Sequence, residues 1–206
     1  MVNQKGILKA LLCLACAVTL MTGMWKAGIV EDLISKVSTP LNTPPPFAKG
    51  WEEIYFKEIG SRIEGTPILP LRSKPMSPKT KEVRIWIGFG HQSLKAIILE
   101  NNNGDWAAKF LPPVDKASEL LDKSYITVMP KSGWATFWTK LDNLNIINAD
   151  GDQDVIGDAK GLVVEIRTGD SYRNYMYNFP PDKSQEGLKA EEICNVLSSE
   201  FDLSFH

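Results

Sequence analysis

The feature that most constrains the fold of this chain is a pair of two-residue turn signals, each preceded by a strand-like segment. Asn103-Gly104 lies between the segments 95–100 and 105–110, and Gly169-Asp170 follows a segment that is apolar at every second position. Asn-Gly favours a type I′ turn and a leading Gly favours a type II′ turn, and these turns join antiparallel strands. The sequence therefore predicts two β-hairpins.

The two-residue loop of the second hairpin fixes its register. Counting back from the loop gives three cross-strand pairs: Ile166 with Arg173, Val164 with Tyr175, and Leu162 with Tyr177. Because successive side chains point to opposite faces of a strand, the pairs also separate two faces. The inner face is predicted to carry Leu162, Val164, Tyr175 and Tyr177. The outer, polar face is predicted to carry Glu165, Arg167, Tyr172 and Asn174.

Further elements follow from hydrophobic periodicity. Residues 82–89 alternate as a strand with one buried face, and residues 125–129 predict a fourth strand before Pro130. A short helix is expected over residues 51–59, a second helix after a Ser132 cap, and a last helix over residues 184–201. Strands cluster around the helices without regular βαβ alternation, so the class is α+β. We expect an antiparallel sheet of hairpins with two helices packed against it, preceded by an N-terminal apolar helix and a Pro-rich tether.

The N-terminus has the pattern of an export signal. Lys5 and Lys9 precede an uncharged run over residues 10–25, so residues 1–25 are interpreted as a signal peptide or signal anchor. Cleavage, retention as an anchor, and lipidation at Cys16 are alternatives that the residues leave open. Residues 26–50 contain three consecutive prolines and predict a semi-rigid linker. Residues 51–206 then form a single domain located in the cell envelope, either anchored to the inner membrane or periplasmic or secreted after cleavage.

Charge argues against one class of partner. The formal net charge is -2, and the lysines and arginines are scattered along the chain. A protein that binds the phosphate backbone normally carries a basic stripe. We therefore predict no nucleic-acid partner.

Three segments carry a resemblance to other proteins. They are RIWIGFG at residues 84–90, SGWATFWTKL at 132–141 and VEIRTGDSYRNYMY at 164–177. Together they resemble a group of uncharacterised bacterial exported or lipoprotein-like proteins, over roughly residues 50–203. The resemblance implies export and the domain boundaries, and it implies no activity.

The most site-like stretch is an acidic loop. Its aspartates occupy the first, third, fifth and ninth positions of an EF-hand calcium loop: Asp150, Asp152, Asp154 and Asp158. Val155 stands where that loop requires Gly, however, and Gly161 where it requires a bidentate Glu. The pattern favours an acidic turn, and we predict no metal and no cofactor.

Catalytic interpretations find little support. A triad needs a histidine base, and only His91 and the terminal His206 exist. Cys194 falls on the apolar stripe of the last helix, which favours an inert core thiol. The adjacent Glu191 and Glu192 favour a solvated helix face rather than a carboxylate pair.

What remains is a polar-aromatic patch at the tip of the second hairpin, formed by Arg167, Tyr172, Arg173 and Asn174. Polar-aromatic surfaces of this kind anchor peptides and partner proteins. The first hypothesis is a non-catalytic binding or interaction domain, tethered to the membrane or periplasmic, whose partner is an envelope protein or peptide. The alternatives are a hydrolase-like envelope enzyme that uses His91, and an inhibitor or immunity-type protein.

Overall fold

Both predicted hairpins are present in the computed structural model, which describes residues 46–89, 94–113, 125–152, 160–179 and 185–203. Its elements in chain order are α1 (Gly50–Ile63), β1 (Thr80–Ile87), β2 (Lys95–Asn102), β3 (Asp105–Leu111), β4 (Ile126–Val128), α2 (Trp134–Asn143), β5 (Lys160–Thr168), β6 (Ser171–Phe179) and α3 (Gln185–Phe201). The strands form one six-stranded antiparallel sheet in the order β4-β3-β2-β1-β5-β6. The α+β prediction is confirmed. The N-terminal apolar helix and most of the linker lie outside the described residues.

Turn chemistry explains the hairpins. Asn103 and Gly104 have φ angles of 58° and 104°, so both central residues lie in the positive-φ region that a type I′ turn requires. Gly169 has a φ of 53°, the sign required at the first central position of a type II′ turn. In β5 and β6 the pairs Ile166–Arg173, Val164–Tyr175 and Leu162–Tyr177 are all present. The predicted register of the second hairpin is confirmed.

One face of the sheet packs against α2 and α3. Phe137 and Leu141 of α2 are fully buried there, and Tyr175 and Tyr177 of β6 lie in the same core. Helix α3 contributes the stripe that was predicted around the cysteine: Ala190, Ile193, Cys194, Leu197 and Phe201. The predicted inner face of the second hairpin is therefore confirmed as a core face.

The other face is also buried, which corrects the expectation of one buried face. Helix α1 begins at Gly50 and ends at Ile63, so it is longer than the predicted 51–59. Its residues Trp51, Tyr55, Ile59 and Ile63 recur at every fourth position and cover Trp86, Ile98, Val163 and Met176 of the sheet. Both faces of β1 are consequently buried from Val83 to Ile87.

The start of α2 differs from the prediction. Gly133, with a φ of 76°, is the N-cap residue, and it makes no side-chain cap. Ser132 donates its hydroxyl to Glu200 on α3 at 2.8 Å instead. The Ser132 cap was a wrong prediction because a tertiary carboxylate competes with the local helix end for the hydroxyl.

Candidate functional site

The structure places three of the four residues predicted for the hairpin patch, Arg167, Tyr172 and Asn174, on one face of the sheet. Tyr172 and Asn174 lie on the α1 face of β6, both half-buried, and the Asn174 amide donates to the Tyr172 hydroxyl at 3.3 Å. Arg167 is opposite Tyr172 on β5, while Arg173 points to the face of α2 and α3. The patch as predicted therefore divides across both faces of the sheet.

Arg167 is buried rather than exposed. Its side chain is 5% exposed, and its guanidinium donates to the carbonyl oxygens of Leu71, Arg72 and Gly169 at 3.0, 2.6 and 3.1 Å. The segment between α1 and β1 thus covers this end of the sheet. The expectation that Arg167 belongs to an exposed outer face is wrong, because the covering segment is far away in the sequence.

Tyr172 is held in place by a buried carboxylate. Its hydroxyl donates to Oε1 of Glu165 at 3.0 Å, and Oε2 of the same carboxylate accepts from the Trp86 indole at 2.7 Å. Glu165 is 1% exposed, and this burial raises its pKa even though Arg84 acts in the opposite direction. Burial together with the nearby Glu165 also raises the pKa of Tyr172. The phenol is therefore a fixed, neutral donor.

A row of charges continues from Glu165 across the α1 face. Arg84 donates to Glu82 at 2.7 Å, Glu82 also pairs with Lys74, and Glu100 pairs with Lys74 and Lys109. Both Arg84 and Glu82 are 1% exposed, and buried charges normally require such partners. Nη1 of Arg84 has no hydrogen-bond partner among the described residues. These ion pairs connect β1, β2 and β3 on the α1 face.

Arg72 joins the aromatic side chains near this patch. Its guanidinium carbon lies 4.5 Å from the ring centroid of Phe47, 4.9 Å from that of Phe56 and 5.3 Å from that of Tyr172. Cation–π contacts of this kind stabilise a buried cation by about 1–2 kcal/mol. Because Phe47 contacts Arg72 and Phe56, the end of the predicted linker packs on the domain near Tyr172. The Phe47 side chain is nevertheless 49% exposed.

Strand β6 is an edge of the sheet, and one part of this edge is covered. The backbone N–H of Asp152 donates to the Met176 carbonyl at 2.7 Å, and the Asp152 carboxylate accepts the backbone N–H of Asn178 at 2.6 Å. These bonds show that the backbone groups of even-numbered β6 residues point away from β5. By the alternation of an antiparallel ladder, those of Tyr172 and Asn174 do so as well.

The remaining part of the β6 edge is not covered by any of the described residues. None of them hydrogen-bonds to the outward backbone groups of Tyr172 or Asn174. The side chains of residues 172, 173 and 174 are half-buried, and Ser171 is exposed. We call this stretch, residues 171–174, the open edge. It combines main-chain donors and acceptors that lack a described partner with a Tyr172 side chain held by Glu165 and Asn174.

Within the open edge, the side chain of Arg173 points to the opposite face, that of α2 and α3. Its guanidinium donates to the carbonyl oxygens of Ile147, at 2.7 Å, and of Ala149. It also lies 5.9 Å from the ring centroid of Tyr175. The cation therefore stays beside the sheet edge, where its partners are neutral carbonyls.

A second aromatic cluster lies on the face of α2 and α3. The ring centroid of Trp106 lies 4.2 Å from that of Trp138 and 6.1 Å from that of Trp134, and all three are half-buried. Lys81 lies over Trp138 at 5.6 Å. Because the indoles contact one another, the cluster serves mainly to fasten α2 to β3.

The other candidates from the sequence fall into three groups. His91 lies outside the described residues, as do residues 153–159 of the acidic loop. Glu191 and Glu192 are exposed on α3, as predicted, and Cys194 is a buried free thiol whose pKa burial raises to about 12. Within the described ranges, no group of three metal-ligating side chains occurs, and no helix is long and apolar enough to cross a bilayer.

Sequence reasoning missed the buried network and the uneven cover of the β6 edge. Glu82, Arg84 and Glu165 alternate with apolar residues, which is the pattern of a solvated face. Trp86, on the same face of β1 as Glu82 and Arg84, was the residue that could have indicated burial, because a Trp side chain is normally packed against other residues. The role of Asp152 had no local signal, since its partners lie 26 residues away.

Comparisons with known proteins do not identify a family for this chain. No family model matches the chain, and no curated protein matches it either. The resemblance suggested by residues 84–177 stays a prediction. The open edge is accordingly interpreted from its own chemistry.

Proposed function

We propose that this protein is a non-catalytic binding domain of the cell envelope. The N-terminal segment would hold it at the membrane as an anchor, or direct it to the periplasm before cleavage, and the Pro-rich linker would display it. The domain would bind an extended segment of an envelope protein or peptide along the open edge. In this mode the partner adds a strand to the sheet, and main-chain hydrogen bonds supply the affinity.

The observation that carries the proposal is the outward-facing backbone of Tyr172 and Asn174. Two residues with outward N–H and C=O groups offer up to four main-chain hydrogen bonds to an added strand. Proteins normally protect such edges by short strands, charges or covering segments. Here β6 has nine residues, Asp152 covers one end, and no described residue hydrogen-bonds to the outward backbone groups at residues 172 and 174.

The surroundings of the open edge also support binding. The Glu165 carboxylate and the Asn174 amide fix the Tyr172 side chain, and Arg72 stacks near its ring. A surface that is already ordered loses little conformational entropy when a partner binds. Phe47 supplies an exposed aromatic ring next to this patch, where a partner side chain can pack.

The proposal is tested by photo-crosslinking in cells that export the full-length chain. A benzophenone amino acid replaces exposed Ser171 at the open edge, and in a second strain it replaces exposed Lys189 on α3. After irradiation, we expect a discrete adduct in the envelope fraction from position 171 and none from position 189. Equal labelling at both positions, or recovery of the chain in the cytoplasm, would contradict the proposal.

A pair of substitutions at one residue isolates the main-chain contact. Asn174→Pro removes an N–H that points away from β5, so the β5–β6 ladder keeps its bonds. Asn174→Ala removes the side chain and keeps the N–H. We expect the Pro variant to reduce the adduct at position 171 about fivefold or more relative to the Ala variant, since one lost hydrogen bond costs about 1 kcal/mol. Adduct yields that do not differ would exclude strand addition here.

The identity of the adduct also separates the alternatives. A stoichiometric complex with a secreted enzyme would favour the inhibitor or immunity-type interpretation over a structural envelope partner. A small-molecule hydrolase activity that depends on His91 would favour the enzyme interpretation.

A further inference from the structure

We infer that the segment bound at the open edge carries an acidic side chain opposite Arg173; this inference rests on the proposed strand addition. The observation that carries it is the position of Arg173, a cation that forms no ion pair with a described carboxylate, beside backbone groups of β6 that have no partner among the described residues. Arg173 is half-buried on the face of α2 and α3, and it lies between the two residues whose backbone groups point outward.

The ladder geometry determines what faces Arg173. A strand that exchanges hydrogen bonds with Tyr172 and Asn174 places its intervening residue beside Arg173, with the two side chains on the same face. Their Cβ atoms would lie about 4.5–5.5 Å apart. A carboxylate at that position reaches the guanidinium directly.

The guanidinium has both charge and hydrogen-bonding capacity left for such a partner. Its bonds to Ile147 and Ala149 use neutral carbonyl acceptors and only two of its five N–H donors. Among the described residues, no carboxylate forms an ion pair with Arg173. The two carbonyl bonds hold the cation in a fixed orientation, which lowers the entropy cost of a further ion pair.

The same geometry argues against a second copy of this chain as the occupant. A two-fold β6–β6 pairing that uses the outward backbone groups of both residues would set Tyr172 of each copy opposite Asn174 of the other. Arg173 would then face its own equivalent. Like charges directly opposite each other destabilise a strand pair, whereas an acidic residue stabilises it. An acidic, extended segment of another protein is therefore the favoured occupant.

The inference is tested with three fluorescent eight-residue peptides of alternating Thr and Val that differ only at one central position, which is Glu, Gln or Lys. Binding to the full-length chain is measured by fluorescence anisotropy at low and high salt. We expect the Glu peptide to bind at least about fivefold more tightly than the Lys peptide at low salt. The preference should shrink at high salt, because ions screen a half-exposed pair.

Two variants of Arg173 separate charge from structure. Arg173→Lys keeps the positive charge and should keep the preference for Glu. Arg173→Gln keeps a donor for the loop carbonyls but removes the charge, so the three peptides should bind within about twofold of one another. Circular dichroism melts of both variants check that each is folded at the temperature of the measurement.

The outcomes distinguish the inference from the proposed function. Equal binding of the three peptides to the wild-type chain, with loss of all binding in Asn174→Pro, would overturn the acidic preference and leave strand addition intact. Binding of none of them would overturn both. A concentration-dependent dimer in sedimentation experiments that Asn174→Pro abolishes would identify a second copy as the occupant and also overturn the inference.

Discussion

Gly151 determines how closely the covering segment approaches β6. Its φ is 71°, and a Cβ added there would lie 2.5 Å from the Met176 carbonyl oxygen and 2.8 Å from Cβ of Tyr175. Only a residue without a side chain allows that approach. Asp152 can then cover Met176 and Asn178 through the bonds described above. The boundary between the covered and open parts of the edge thus depends on this glycine.

We expect Gly151→Ala to destabilise the protein by about 3 kcal/mol or more. The positive φ costs about 1–2 kcal/mol for a residue with a Cβ, and the clash with β6 adds to this cost. Gly65 is a matched control, because its φ is 74° and nothing lies within 4 Å of an added Cβ. Gly65→Ala should therefore lower the free energy of unfolding only by the cost of the positive φ. Urea denaturation measures both free energies of unfolding, and equal values would show that the covering segment can move aside.

At the scale of elements, Glu200 fastens α3 to the loop before α2. Its carboxylate accepts the backbone N–H of Ser132 at 2.9 Å and the Ser132 hydroxyl at 2.8 Å, and it pairs with Lys140 of α2. Burial opposes ionisation of this group. The hydrogen bonds from Lys140 and Ser132 outweigh that effect and lower the pKa of Glu200 below its ordinary value of 4.5.

We expect Glu200→Gln to lower the free energy of unfolding by about 1–2 kcal/mol at pH 7. Because the folded-state pKa is lowered, the ionised carboxylate contributes stability above the unfolded-state value, and that contribution is lost as the pH falls through the folded-state pKa. The difference between variant and wild type should therefore shrink below about pH 4.5. Urea titrations at several pH values measure it, with exposed Glu192→Gln as the control. A difference that does not change with pH would exclude the charge as its cause.

Elements that depend on local chemistry were predictable, and those that depend on distant partners were not. Asn103-Gly104 and Gly169 carry their turn preferences within the hairpins, so both strand pairings and the register of the second hairpin followed from the sequence. Ser132 failed as a cap because Glu200 binds its hydroxyl. The face of Tyr172 and Asn174 followed from the same register, whereas the cover over Arg167 comes from residues 71–72, almost a hundred positions away.

At the scale of the whole molecule, the sheet separates two cores. Helix α1 covers Trp86 and its neighbours on one face, and α2 and α3 cover the other. Residues 44–206 form one compact unit. Helix α1 is therefore an integral layer of the domain, although its sequence position next to a Pro-rich linker suggests a peripheral element.

We expect a chain that begins at residue 46 to unfold cooperatively, and a chain that begins at residue 64 to lose cooperative unfolding. Loss of α1 removes four buried side chains, Trp51, Tyr55, Ile59 and Ile63, which together contribute roughly 6–12 kcal/mol. That amount is comparable with the whole stability of a typical domain. Thermal melts and binding of the dye ANS measure the difference. Cooperative melting of the shorter chain would show that the sheet and the other two helices suffice.

The partial cover of β6 has a consequence for self-assembly. A long, fully unpaired edge is a template on which copies of a sheet can stack without limit, and that is how ordered aggregates grow. Asp152 blocks one end of this template and the hairpin turn ends the other, so the stretch that the described residues leave uncovered is only a few residues long. A stretch of this length can pair with a short extended segment of a partner and is too short to nucleate a fibril. If the domain is displayed at a membrane as proposed, many neighbouring copies can thus expose this edge without stacking through it.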